Sequence, residues 1–584
     1  MIEAITYVIS MLILFIIILA IKKTEKRMEI VKSVVINIIL LYAYNAFIVY
    51  MLNLIKISTT LNILTIVNSI ISIILIIKIY KDKEIQKYEF KKTNLLVVSL
   101  FIVITAIICI TNWTTKFNIK YVVGDSIIHY RAAREFCDNS TLTKDFMFAT
   151  YINDGIAFKI FKCFIGTINL YKIYLILEAI IFVLAGTLMY FLGAKYAKSN
   201  TGKVITGALA IAYLLGYPLN SWITGFHYLT TGILFVTAIL YVIDNCFEKE
   251  NSFLYALTLM FFFNFGLMFS YCLFAIFTFV FEFIYFAYKF LVKEKSIKKW
   301  LLLIVITMLF VGIAGVTYMI LPKQDGIEAL KLEGYIYKSI WSNFILFIPF
   351  TVYYVVKSIK NKQYTVDIVA IITIVVIIVF EFIAYNNNLC SEYYLYKVFY
   401  ALWTIMAFTN IKGINEALNK DKEHKIICCT IVLLYIIILL LNMFLVKVAQ
   451  RKNRQDSIKN IFEIYSFNVT MMQHIGIEVT NEEQNLYKEF EKIINNEWKY
   501  NEEKPILVLT GKLQENWIYS LTGHKNDIMF KEKNILQKIE NKNYVYIIAV
   551  NNSGNEKYQN KIDENDYNIV YEDEKGKIYQ RVGE

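Results

Sequence analysis

Long apolar runs separated by short polar segments fill residues 1–447, and this alternation predicts the fold before any single residue is considered. An apolar run of about 18 residues or more spans a bilayer as a helix. Roughly fourteen such runs occur, some of them short, which predicts an all-α polytopic membrane protein. The first four cover residues 4–21, 34–54, a segment ending near Tyr80, and 95–111. The stretch 253–292 is about twice the length one span needs, so it reads as two helices broken near Ser270-Tyr271-Cys272. From Gln450 the pattern changes. Residues 455–498 are charged with helical spacing, and 505–509 and 544–548 read as short buried strands of a small α/β domain. The expected division is therefore 1–94 (amino-terminal transmembrane helices), 95–447 (transmembrane core with a long loop at 112–169) and 448–584 (soluble domain).

Charge adds sidedness to this picture. Of the 584 residues 57% are hydrophobic and 18% charged, and the formal net charge is +12. The excess of basic residues lies in short loops between spans, as membrane topology requires, and not in a nucleic-acid-binding patch. Lys22, Lys23, Lys26 and Arg27 follow the first run; Lys81, Lys83, Lys87, Lys91 and Lys92 follow the third. Further basic loops lie around 195–203, 293–299, 357–362 and 412–425. The positive-inside rule puts them all in the cytoplasm. The amino terminus, loop 112–169 and the carboxy-terminal domain are then expected outside a multi-pass cell-membrane protein. The first run lacks a preceding basic region and reads as a span, not a cleaved signal. The eight cysteines form no CxxC pair and no Cys/His ligand spacing, so neither a disulfide framework nor a metal site is expected.

Against this apolar background one polar sequence stands out: Gly124-Asp125-Ser126-Ile127-Ile128-His129, followed by Arg131, Arg134 and Glu135. Gly124 permits a tight turn, and Asp125 then starts a helix to about Asp138 with Asp125 and His129 on one face at i, i+4. Two readings stand side by side. Asp125 is a helix cap beside a histidine, or it is a general base at the water–lipid boundary. A second polar and aromatic patch, Tyr217 to Tyr228 with His227, reads alone as an interfacial aromatic belt. A third, Glu392-Tyr393-Tyr394-Leu395-Tyr396-Lys397, ends in a lysine that snorkels or binds a lipid phosphate. The loop 323–338 is a solvated linker long enough for a lid. Three outer loops thus bring an acid, histidines and a cation to one depth.

A span entering a long outer loop with an early Asp, then many spans and an outer soluble domain, resembles the GT-C superfamily of integral membrane glycosyltransferases. Gly124-Asp125-Ser126-Ile127-Ile128-His129-Tyr130 is similar to the Asp-x-x-x-His version of some bacterial members, and Tyr393-Tyr394-Leu395-Tyr396-Lys397 to a Tyr-rich segment of uncharacterised bacterial relatives. The resemblance implies transfer of a sugar from a polyprenyl-phosphate lipid to an envelope glycan, lipid or protein acceptor. It implies catalytic roles for Asp125 and His129, and substrate binding by Arg131, His227, Glu392 and Lys397. Three spans precede residue 95 where one is usual. Ser126 follows Asp125 where many members carry a second acid, which argues against a metal, and no other cofactor is implied. The alternatives are a flippase or transporter for lipid-linked saccharide, an O-antigen-polymerase-like protein, and a non-catalytic envelope protein. Sparse mid-span charge disfavours the transporter, and scarce outer arginines disfavour the polymerase.

Overall fold

The computed structural model describes residues 1–445 except 25, 122–124, 143–148, 248–252, 293–296, 316–330, 332, 335, 339, 340 and 421, then chiefly 463–473, 477–493, 506–509, 526–527, 544–551 and 567–583. Its helices are α1 (Ile2–Ala20), α2 (Ile30–Leu54), α3 (Leu61–Asp82), α4 (Lys92–Trp113), α5 (Asp125–Asn139), α6 (Ala149–Ile165), α7 (Leu170–Ala194), α8 (Asn200–Leu215), α9 (Tyr217–Ile223) and α10 (His227–Cys246). They continue with α11 (Phe253–Met268), α12 (Cys272–Leu291), α13 (Ile297–Gly315), α14 (Trp341–Phe344), α15 (Ile348–Lys360), α16 (Val366–Asn386), α17 (Glu392–Leu418), α18 (Lys422–Leu445), α19 (Glu463–Gln473) and α20 (Asn481–Ile493). Among the described residues, 10 helices are long and apolar enough to cross a membrane. The protein is a polytopic helical membrane protein. The sequence count runs higher because it takes in shorter apolar runs such as Phe253–Met268.

The break read at Ser270-Tyr271-Cys272 is present between α11 and α12. Helix ends elsewhere follow local chemistry. Glu29 caps α2 by accepting from the amides of Val31 and Lys32, Thr60 caps α3, and Ser199 caps α8. Among the candidate spans α10 is the most deeply buried, with nearly every residue inside. Large rings fill the space around it and around α17; Trp113, Trp222 and Trp403 are fully buried.

At one end of the bundle a buried ion cluster ties α10, α16 and α17 together. Lys412 Nζ lies 2.6 Å from Asp367 Oδ1 and 3.9 Å from Asp244 Oδ1, and Lys195 Nζ lies 2.9 Å from Asp244 Oδ2. Removing Lys412 strands the buried Asp367 carboxylate, while Asp244 keeps Lys195. Lys412→Met is therefore expected to cost about 3–5 kcal/mol of stability. Thermal unfolding in detergent checks this, and adding Asp367→Asn should recover part of the loss.

After α18 the chain returns to the bundle. Asn468 on α19 donates 2.9 Å hydrogen bonds to the carbonyls of Leu215 and Gly216, and Tyr465 Oη donates to Ala212 O at 2.8 Å. Strands β1 (Met28–Glu29) and β2 (Tyr88–Glu89) pair parallel, and β3 (Ile119–Tyr121) and β4 (Ile477–Val479) pair antiparallel, so the segment after α4 and the carboxy-terminal region meet at the same end of the bundle. Beyond them lies a five-stranded sheet in the order β6-β5-β7-β9-β8, comprising β5 (Ile506–Leu509), β6 (Asn526–Asp527), β7 (Tyr546–Val550), β8 (Tyr567–Asp573) and β9 (Gly576–Arg581). Strand β5 is parallel to β6 and β7; β9 runs antiparallel to β7 and β8. Strands β5 and β7 are buried at every residue, as their continuous apolar sequences require.

Candidate active site

Helix α5 begins at Asp125 and carries an apolar face of Ile127, Tyr130, Ala133 and Phe136 into the protein. Two glycines allow its close approach. A Cβ on Gly155 of α6 would stand 2.5 Å from the Phe136 ring and 2.8 Å from Ala133 O. Gly225, in the turn before α10, has φ +82°, and a Cβ there would stand 2.7 Å from Ser126 Cβ. The first turn of α5 is thereby seated on the turn that launches His227 and Tyr228. The turn expected at Gly124 and the position of the Asp125 carboxylate lie outside the described atoms. The backbone places Asp125 one turn before His129, on the same helix face.

Gly225→Ala is expected to lower stability by roughly 1–2 kcal/mol from the positive φ alone, and more from displacing Ser126. Gly207→Ala is the control, because its Cβ would meet only Tyr190, at 4.0 Å. Thermal melts of the two variants measure the difference; equal melts would remove the seating argument.

His129 is buried, and its Nδ1 is hydrogen-bonded to the Tyr151 hydroxyl of α6. Its ring meets Tyr228 edge-on at 4.9 Å between centroids. Burial, with His227 and Lys397 adding to it, pushes the imidazole down to about 3. His129 is thus neutral at physiological pH. In the tautomer in which the Tyr151 hydroxyl donates to Nδ1, Nε2 carries the proton; that nitrogen is buried and has no hydrogen-bond partner among the described residues. Next to it, Lys397 Nζ donates to Tyr228 Oη at 2.7 Å. The same ammonium stands 3.8 Å from the Tyr393 ring centroid and 5.1–5.6 Å from those of Phe226, Tyr228, Tyr271 and Tyr394. Such a ring-lined site holds a cation through the negative faces of the rings. Lys397 does not snorkel to water; it is 2% exposed.

A second histidine extends the cluster. His227 Nδ1 lies 3.3 Å from Asp154 Oδ2, with the two side chains 1% and 0% exposed. Burial raises the Asp154 carboxyl above the usual carboxylate range, and His227 opposes the rise. Tyr174 packs edge-on against the His227 ring at 5.6 Å. Asp154 was not read from the sequence. Its signal is the acid among the buried residues of the first half of α6, obscured there because residues 112–169 read as one loop.

Of the residues singled out in sequence, the structure brings together His129, His227 and Lys397, from helices α5, α10 and α17. Two others are engaged elsewhere by their described contacts. Arg131 pairs with Glu135 at 3.8 Å along α5, and Glu392 is ion-paired with Lys338. Most of loop 323–338 lies outside the described residues. No group of three or more His, Cys, Asp or Glu side chains suited to a metal occurs among the described residues.

No family model and no curated protein matches the chain. Among solved structures it is similar to ArnT from Cupriavidus metallidurans bound to undecaprenyl phosphate: 12% identity, TM-score 0.42, 83% of this chain and 98% of that one. The apo state of the same protein gives 11% identity and TM-score 0.43 over 82% and 97% of the two chains. The archaeal oligosaccharyltransferase AglB from Archaeoglobus fulgidus, in complex with an inhibitory peptide and a dolichol-phosphate, gives 13%, 0.35, 79% and 69%.

Proposed function

We propose that this protein is a GT-C-type membrane glycosyltransferase that moves a sugar from a polyprenyl-phosphate donor to an envelope acceptor at the outer membrane face. The observation that carries the reading is the convergence, at the start of α5, of a neutral buried imidazole and a caged ammonium beside the helix turn that bears Asp125. That arrangement matches the needs of glycosyl transfer. The acceptor oxygen forms a bond to the anomeric carbon as the bond from that carbon to the phosphate oxygen breaks. Asp125 takes the acceptor's proton. The leaving polyprenyl phosphate gains negative charge, and Lys397 with the His129 Nε2–H and the Tyr228 hydroxyl offers preorganised positive charge and donors to it. Asp154 holds His227 in orientation behind the site, as buried carboxylates do for imidazoles.

The lipid tail of the donor belongs among the apolar helices, with its phosphate at the Lys397 end of α17. No metal enters this reading, since Ser126 occupies the place of a second acid. A polyprenyl phosphate carrying a photoreactive group near the phosphate tests it. Cross-linking is expected on peptides spanning 226–228 and 393–397, with loss of label when unmodified polyprenyl phosphate competes. Label confined to other helices would defeat the assignment of the phosphate site.

A further inference from the structure

A cavity of about 300 Å³ opens between α1, α2, α3 and α11, walled by Leu14, Leu41, Tyr44, Leu75 and Phe262. One end of it lies far from the candidate active site. Leu254 and Tyr255 at the start of α11 line it, whereas the other end of α11 leads to Tyr271 beside Lys397, about 20 Å along the helix. One end of this apolar cavity is lined by Lys22, Lys23 and Lys78.

Lys23 is the informative residue. It is 2% exposed, and its Nζ has no hydrogen-bond partner among the described residues; it stands 5.0 Å over the Tyr255 ring. The backbone around it is locked. The amides of Lys23 and Thr24 donate to Gln86 Oε1 at 2.8 and 3.1 Å, and Gln86 Nε2 donates to the carbonyls of Lys26 and Lys87 at 2.9 and 3.0 Å. Tyr88 Oη ties the same segment to Leu19 O at 2.7 Å. A lysine beside a membrane ordinarily extends its ammonium to water. This one is held inward, where burial pushes it down to about 8. Lys22 differs in having Glu84 as a counter-ion. An inward ammonium with no acid partner among the described residues, at the end of an apolar cavity, suits an anion that brings its own apolar tail.

We propose that this cavity binds an anionic phospholipid, with an acyl chain between α1, α2, α3 and α11 and the phosphate on Lys23, flanked by Lys22 and Lys78. The volume lies at the small end of ligand cavities, which suits one chain. Lys23 and Lys78, with Lys22 already paired to Glu84, leave the mouth net positive and favour a net-negative headgroup over a zwitterionic one. The site is separate from the donor-phosphate site, so its test does not depend on the proposed reaction.

The full-length protein, reconstituted in nanodiscs containing phosphatidylcholine and phosphatidylglycerol and then released for native mass spectrometry, should retain about one phosphatidylglycerol per chain. Lys23→Met should lower that retention about tenfold, the size expected for losing one charged hydrogen-bonding group. Lys23→Arg should keep most of it. Leu75→Trp, which fills the cavity and leaves the lysines, should abolish it, and millimolar inorganic phosphate should not displace the lipid. Equal retention of phosphatidylcholine, wild-type retention by folded Lys23→Met and Leu75→Trp, or displacement by phosphate would each overturn the proposal.

Discussion

Replacing Asp125 by asparagine is expected to lower sugar transfer by about 10²–10⁴-fold, the range over which a positioned general base contributes. Asparagine keeps the volume and the helix-capping capacity of aspartate, so α5 still starts where it does. It cannot accept a proton from an acceptor hydroxyl. The loss should therefore fall on turnover, with the affinity for polyprenyl phosphate and the melting temperature close to wild type. Steady-state rates against donor concentration, together with a thermal melt, separate these outcomes. A variant with full turnover would show that Asp125 only caps the helix. A variant with poor melting would point to Asp125 as a structural residue of the α5 start.

The second large effect is expected at Lys397. Its ammonium donates to Tyr228 and lies among five rings, so it is positioned before any donor arrives. Lys397→Met retains length and fits an apolar, aromatic surrounding, which protects the fold. It removes the charge that would meet the phosphate. A charge-assisted hydrogen bond contributes about 1.5–3 kcal/mol, so donor affinity should fall about 10–100-fold. The transfer rate should fall further, because charge on the phosphate grows as it leaves. Lys397→Arg is not expected to rescue fully, since a planar guanidinium differs in shape and donor geometry from the ammonium held against Tyr393 and Tyr228. Direct binding of radiolabelled polyprenyl phosphate checks the affinity. Unchanged binding in Lys397→Met would leave the lysine the task of ordering the aromatic rings alone.

Much of this site was legible in the sequence because ionisable residues are rare in an apolar chain. His129, His227 and Lys397 stood out for that reason, and the structure brings them together. The break before Cys272 was legible from length alone, and the α5 helix from the spacing of Asp125 and His129. Arg131 and Glu392 looked equally available in sequence. Their described partners, Glu135 and Lys338, could not be ranked against a distant site without coordinates. Asp154 was missed for the converse reason. It lies in a helix that packs against α5 through Gly155, within a stretch whose polarity suggested loop. The inward turn of Lys23 was equally hidden. Sequence assigns a lysine next to a span to the surface, and only the Gln86 clasp shows that this one is held inside. The aromatic cage is a three-dimensional object: its rings come from the turn into α10 and its first residues, the break after α11 and the start of α17.

Glycosyl transfer itself is tested by supplying the purified protein, in liposomes, with a panel of polyprenyl-phosphate sugars and envelope acceptors and measuring release of free polyprenyl phosphate. Release with at least one donor is expected from the wild-type protein, with loss of turnover but retained donor binding in Asp125→Asn and weakened binding in Lys397→Met. Wild-type release that both variants preserve would contradict this expectation.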